Sequence, residues 1–128
     1  MIKQLVSIVE DDQFFRESMR RLLRSLGYDV EVFSSASEFL ASSRLDETSC
    51  LIADVNMPAM TGPALYRHLV DAGRRIPTIL MTAFPNDMDR TSTLKDGVSC
   101  YLAKPVDQQD LTRCLNTVLG PRASPPSV

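Results

Sequence analysis

Apolar and polar residues follow one another along this chain in two rhythms. The runs "LVSIV" (5–9), "CLIADV" (50–55), "PTILMTAF" (77–84) and "VSCYLA" (98–103) are nearly continuous in apolar character, the pattern of strands buried on both faces. "YDVEVF" (28–33) alternates residue by residue and predicts a strand less buried than the others. Between these runs lie segments of helical period. In 13–27, Phe15, Met19, Leu22, Leu23 and Leu26 make one stripe, Arg16, Arg20, Arg21 and Arg24 fall largely off it, and Gly27 stops the helix. Ser35 and Glu38 stand in capping-box spacing at the start of a short helix over 35–43. Pro63 suits the first turn of a helix over 63–73, which turns Leu65 and Leu69 inward and ends at Gly73. The segment 86–97 has few apolar anchors and holds two Thr and a Ser, which makes it the weakest helix by propensity. The last helix, over 106–120, turns Leu111, Cys114, Leu115, Val118 and Leu119 inward.

Five strand–helix units with buried strands require a parallel sheet covered by helices on both sides, an α/β fold. The ligand site of such a sheet lies beyond the C-terminal ends of its strands, near the point where strand order reverses. At 128 residues the chain is one domain with a sizeable core. We assign that domain to residues 1–120, and read "PRASPPSV" (121–128) as a Pro/Ser-rich tail or the start of a linker.

Composition removes some function classes. A net charge of −2 argues against direct contact with nucleic acid, which calls for a basic patch. No apolar stretch approaches the roughly 20 residues that span a bilayer, and no signal peptide is visible, so the expected setting is the cytoplasm. Cys50, Cys100 and Cys114 fit neither a metal motif nor a disulfide framework, and read as small buried hydrophobes.

The chemistry sits where the strands end. The first strand runs into Glu10, Asp11 and Asp12, the third ends in Asp54, the fourth in Thr82, and the fifth leads to Lys104 and Pro105. Nearby carboxylates repel unless a cation joins them. Oxygen ligands with no His or Cys partner point to a hard ion, Mg²⁺ first and Mn²⁺ as a substitute. The residues suggest that Asp12 and Asp54 bind it directly, Asp11 through water, and a loop carbonyl near Asn56 completes it. A carboxylate beside such an ion and the Lys104 ammonium can attack a phosphoryl group, with Thr82 as a hydroxyl donor to its oxygens.

Taken together, "VEDD", "ADVNMPAMTG", "LMTAF" and "GVSCYLAKP" make residues 3–120 resemble a response-regulator receiver domain of two-component signalling, in the style of FixJ-like and LuxR-type receivers. The resemblance implies a flavodoxin-like (βα)5 three-layer sandwich with strand order 2-1-3-4-5. It implies Asp54 as phosphoacceptor, and Asp11, Asp12, Asp54 and the Asn56 backbone carbonyl as the Mg²⁺ site. Lys104, Thr82 and Ala83 would hold the phosphoryl group, Thr82 and Tyr101 would form the switch, and Pro105 would follow a cis bond. The donor would be a phosphohistidine on a sensor histidine kinase or phosphotransfer protein. A homodimer would use the fourth helix, fifth strand and fifth helix, and an output domain or partner, in transcription for instance, would read the switch. Asn56 and Phe84 occupy positions near the path of hydrolytic water, where bulky Phe84 is expected to slow loss of the phosphoryl group.

Two competing functions stay open at this point. An aspartate-nucleophile phosphohydrolase would need an acid two residues after the nucleophile, where this chain has Asn56, and a cap insertion, which it lacks. A degenerate receiver serving only as a protein-interaction module would not need Asp12, Asp54 and Lys104. His68 is expected on the surface. Phe14 is expected to be partly buried, with contact to a partner as the other reading.

Overall fold

A computed structural model describes residues 3–120. Strands β1 (Leu5–Val9), β2 (Asp29–Phe33), β3 (Thr48–Asp54), β4 (Thr78–Thr82) and β5 (Cys100–Ala103) form one sheet in the order β2-β1-β3-β4-β5. All four pairings are parallel. Helices α1 (Gln13–Ser25), α2 (Ala36–Leu40), α3 (Gly62–Asp71), α4 (Asp87–Asp96) and α5 (Gln108–Leu119) connect them. This is the flavodoxin-like sandwich, with the order reversal between β1 and β3. The expected tail, 121–128, lies outside the described residues.

Successive strand residues point to opposite faces, and each face builds its own core. Val6, Ile8, Cys50, Ile52, Ile79 and Met81 pack with Met19 and Leu23 of α1 and Leu111 and Leu115 of α5. Val9, Leu51, Ala53 and Leu80 pack with Phe39 of α2 and Leu65 and Leu69 of α3. Fully burying a side chain of this size contributes about 1.5–3 kcal/mol, so these two layers fix the sheet between the helices. The alternating strand, β2, is half-buried throughout, as an edge strand must be. Each helix opens on a side-chain cap: Asp12, Ser35, Thr61, Asn86 and Asp107 accept amide hydrogen bonds from the first turns. Such caps are worth about 1 kcal/mol each.

Several boundaries move. β3 starts at Thr48, earlier than its apolar run, because Thr48 Oγ1 meets Ser7 Oγ at 2.7 Å and the buried polar pair satisfies itself. β4 stops at Thr82 because Thr82 Oγ1 accepts the Phe84 amide at 3.0 Å and turns the chain out of the sheet. The Ser35 cap forms, but Glu38 reaches back to Ser34, taking its amide at 3.1 Å and its hydroxyl at 2.6 Å. Only Cys50 is a buried thiol; Cys100 and Cys114 are half-buried, because β5 is an edge strand and α5 covers it on one side only. Phe14 is 85% exposed, not partly buried, since it lies off the α1 stripe that meets the sheet. His68 is exposed on α3. Among the described residues no helix is long and apolar enough to cross a membrane.

Candidate functional site

The site grows out of β1 and β3 running side by side, Val9 opposite Ala53. One residue beyond β1, the Glu10 amide still donates to Phe33 O at 3.0 Å, which keeps Glu10 in line with the sheet and completely buried. Asp54, the last residue of β3, is buried beside it. Carboxylate oxygens of Glu10, Asp11 and Asp54 lie within 4.8 Å of one another. Across from them, Lys104 Nζ lies 2.5 Å from Glu10 Oε1 and 3.5 Å from Asp54 Oδ2. The ammonium also stands 4.4 Å from the centre of the Phe15 ring, whose face attracts a cation. The Lys104–Pro105 peptide bond is cis.

The acidic group differs from the expected one by a residue. Asp12 lies outside it: its Oδ1 accepts the amides of Phe14 and Phe15 at 2.9 and 3.2 Å and caps α1. A side chain spent on two amides at a helix start is turned away from Asp54. Glu10 takes the place next to Asp54 and Lys104. The sequence carried one signal for this. A helix beginning at Gln13 needs a capping residue at position 12, which leaves the two preceding acids for the site.

Burial pushes the Glu10 carboxyl up to about 7, against the pull of the Lys104 hydrogen bond, and the nearby Asp54 charge pushes the same way as burial. Glu10 also accepts the Asp12 amide at 3.1 Å. A buried carboxylate with one ammonium and a second carboxylate in reach is short of positive charge. The donor set is all oxygen, and a hard divalent ion fits it.

The remaining expected residues surround this core. Asn56 donates from its backbone to Asp54 Oδ1 at 3.3 Å and from its side chain to Thr82 Oγ1 at 3.2 Å. Thr82 is fully buried, with Ala83 and Phe84 exposed just after it, Phe84 by 75%. Tyr101 is turned inward: its ring is buried in the α2/α3 core, its hydroxyl accepts the Asn86 amide at 3.4 Å, and Arg90 stands 5.3 Å from the ring centre. Tyr101 thus ties β5 to the start of α4, the helix with only Thr93 buried. Gly62 closes the floor under Asp54. A Cβ there would come within 2.5 Å of the Asp54 carbonyl oxygen, so only glycine lets α3 start this close to the strand.

The sequence profile of the response regulator receiver domain matches residues 6–116. Nodulation protein W of Bradyrhizobium diazoefficiens is 37% identical over 109 residues, 85% of this chain and 48% of that protein. Response regulator protein TmoT of Ectopseudomonas mendocina is 33% identical over 117 residues, 91% of this chain and 53% of that one. The chain therefore spans about half the length of these curated relatives. Among solved structures, response regulator StyR superposes with a TM-score of 0.83 at 36% identity, covering 92% of this chain and 60% of that one. FixJ-N does so with a TM-score of 0.80 at 28% identity, covering 92% and 94%. Fold, profile and relatives agree, and the chain belongs to the response regulator receiver domain family of two-component signalling.

Proposed function

We propose that Asp54 is the phosphoacceptor, and that its phosphorylation by a phosphohistidine of a sensor histidine kinase or phosphotransfer protein switches this domain. The observation that carries the reading is the Lys104 ammonium, set between buried Glu10 and Asp54. An Asp54 oxygen attacks phosphorus, the bond from phosphorus to the donor imidazole nitrogen breaks, and the imidazole leaves. Lys104 binds a phosphoryl oxygen, the Thr82 hydroxyl donates to a second, and the backbone at Ala83 lies beside them. Mg²⁺ or Mn²⁺, held by Glu10, Asp11, Asp54 and the Asn56 carbonyl, supplies neutralisation of the added negative charge when bound.

A phosphoryl group adds roughly 1.5 to 2 negative charges. Thr82 shifts toward it, Tyr101 and the lightly anchored α4 follow, and the α4–β5–α5 face changes for a second copy or an output partner. Two conformations separated by a few kcal/mol suffice for such a redistribution. The domain acts on itself alone, in the cytoplasm, as part of a regulator of transcription such as the transcriptional regulatory protein TdiR, to which it is 32% identical over 115 residues.

Incubation with acetyl phosphate and Mg²⁺, followed by intact mass, tests the reading. One added phosphoryl group that disappears in Asp54→Asn supports it. Turnover of acetyl phosphate with no accumulation supports a phosphohydrolase, and no reaction supports an interaction module. Phe84→Glu is expected to shorten the lifetime of the phosphorylated form, because a polar side chain there can orient water and Phe84 cannot. An unchanged decay rate in that variant would remove Phe84 from the account.

A further inference from the structure

The three thiols are not equivalent. Cys50 is fully buried in β3, where burial alone pushes its thiol up to about 12 and keeps it protonated and inert. Cys100 on β5 and Cys114 on α5 are half-buried, belong to the margin of one packed cluster, and bring their sulfurs against each other. Beside them a cavity of about 380 Å³ opens between α4, β5 and the start of α5. Cys114 lines it together with Arg90, Tyr101, Pro105 and Arg113, whereas Cys100 does not. One residue of the pair therefore lines an entrance at which Arg90 and Arg113 are matched by Asp107 and Asp110, with Arg113 paired to Asp110 at 3.2 Å, and the other is kept off that opening.

We propose that Cys100 and Cys114 are a two-cysteine oxidation site for small hydroperoxides, with Cys114 attacked first and Cys100 resolving. The Cys114 sulfur attacks the outer peroxide oxygen, the O–O bond breaks, and water or an alcohol leaves, giving a sulfenic acid. The Cys100 sulfur then displaces hydroxide from the Cys114 sulfur, forming the disulfide and a second water. Two electrons pass from the thiol pair to the peroxide, and a cellular dithiol reductant or glutathione reverses the change. The product joins the edge strand to the last helix, on the face where Tyr101 meets α4. This inference uses none of the proposed phosphoacceptor, metal or phosphate-binding residues, and its cavity shares Tyr101 with the proposed switch.

The test treats the reduced chain with equimolar hydrogen peroxide, then counts thiols after unfolding and maps peptides without reduction. The expected result is a fall from three reactive thiols to one, with Cys50 left free, a Cys100–Cys114 linked peptide, and return to three after a dithiol reductant. In Cys100→Ala, a sulfenic acid at Cys114 should instead be trapped by dimedone. Cys50→Ala should leave the linked peptide unchanged. Three free thiols after treatment, over-oxidation of Cys114 with Cys100 still free, or chains linked to one another would each overturn the proposal. If Cys100→Ala does not fold, the peptide map of the unaltered chain decides alone.

Discussion

Two ionic clusters stand at opposite ends of the same sheet, and they use the same kinds of residue to different ends. At the start of β2, Arg44 bonds Asp29 at 2.9 Å, Glu31 at 3.0 Å and Glu47 at 3.3 Å. All of these side chains are at least a third exposed, so water screens them. Arg44 holds the Asp29 carboxyl below its ordinary range and gains little beyond pinning an edge strand. At the other end Lys104 meets Glu10 and Asp54, where the ammonium side chain is 15% exposed and the Glu10 side chain is out of water altogether. There solvent does not reach the Glu10 carboxylate, and the cluster is left short of positive charge that a divalent ion could supply. Burial, not residue type, separates the clamp from the candidate site.

The comparison breaks most sharply at Lys104. Lys104→Ala strands a buried carboxylate and should lower unfolding stability by about 3 kcal/mol at pH 8. The loss should shrink at pH 5, where Glu10 takes up a proton. Urea midpoints at the two pH values measure this, and an equal loss at both would mean that Glu10 is not the partner that matters. Gly62→Ala should come next. It forces a Cβ onto the Asp54 carbonyl and the Leu80 side chain, and overpacking of this kind costs about 1–3 kcal/mol. Its acceptance of phosphate from acetyl phosphate should fall with its melting temperature.

The unaltered chain offers a gentler probe. The folded pKa of Glu10 lies near 7, above the ordinary value of 4.5. The folded state therefore holds the proton more tightly, and stability from this group is full below about pH 4.5 and declines as pH rises toward 7. By about 1.4 kcal/mol per unit, the decline amounts to up to about 3 kcal/mol. A divalent ion held by Glu10, Asp11 and Asp54 would replace that proton, so Mg²⁺ should raise the melting temperature more at pH 7.5 than at pH 5. A rise independent of pH would place the ion elsewhere. Arg44→Ala should have the smallest effect, a slight fall in urea midpoint that high salt removes. A loss as large as that of Lys104→Ala would erase the contrast between the two clusters.

Read along the chain, four apolar runs and one alternating run decided the five strands, the period-3.6 stripes decided the helices, and the acids and the lysine at the strand ends marked the candidate site. Those features are local, because strand burial and helix amphipathicity repeat within a few residues. The choice between neighbouring acids was only partly local. The start of α1, which claims Asp12 as its cap, is a local signal, but only Lys104 arriving from the far end of the chain selects Glu10 for the buried place. The same holds for the thiols. Their spacing says nothing, yet packing α5 against β5 brings Cys114 and Cys100 to the margin of one cluster and leaves Cys50 sealed. Sequence settled which groups the chain possesses and which elements carry them. Which of them lose their water and which meet depends on contacts between distant segments, and those form only when the layers close.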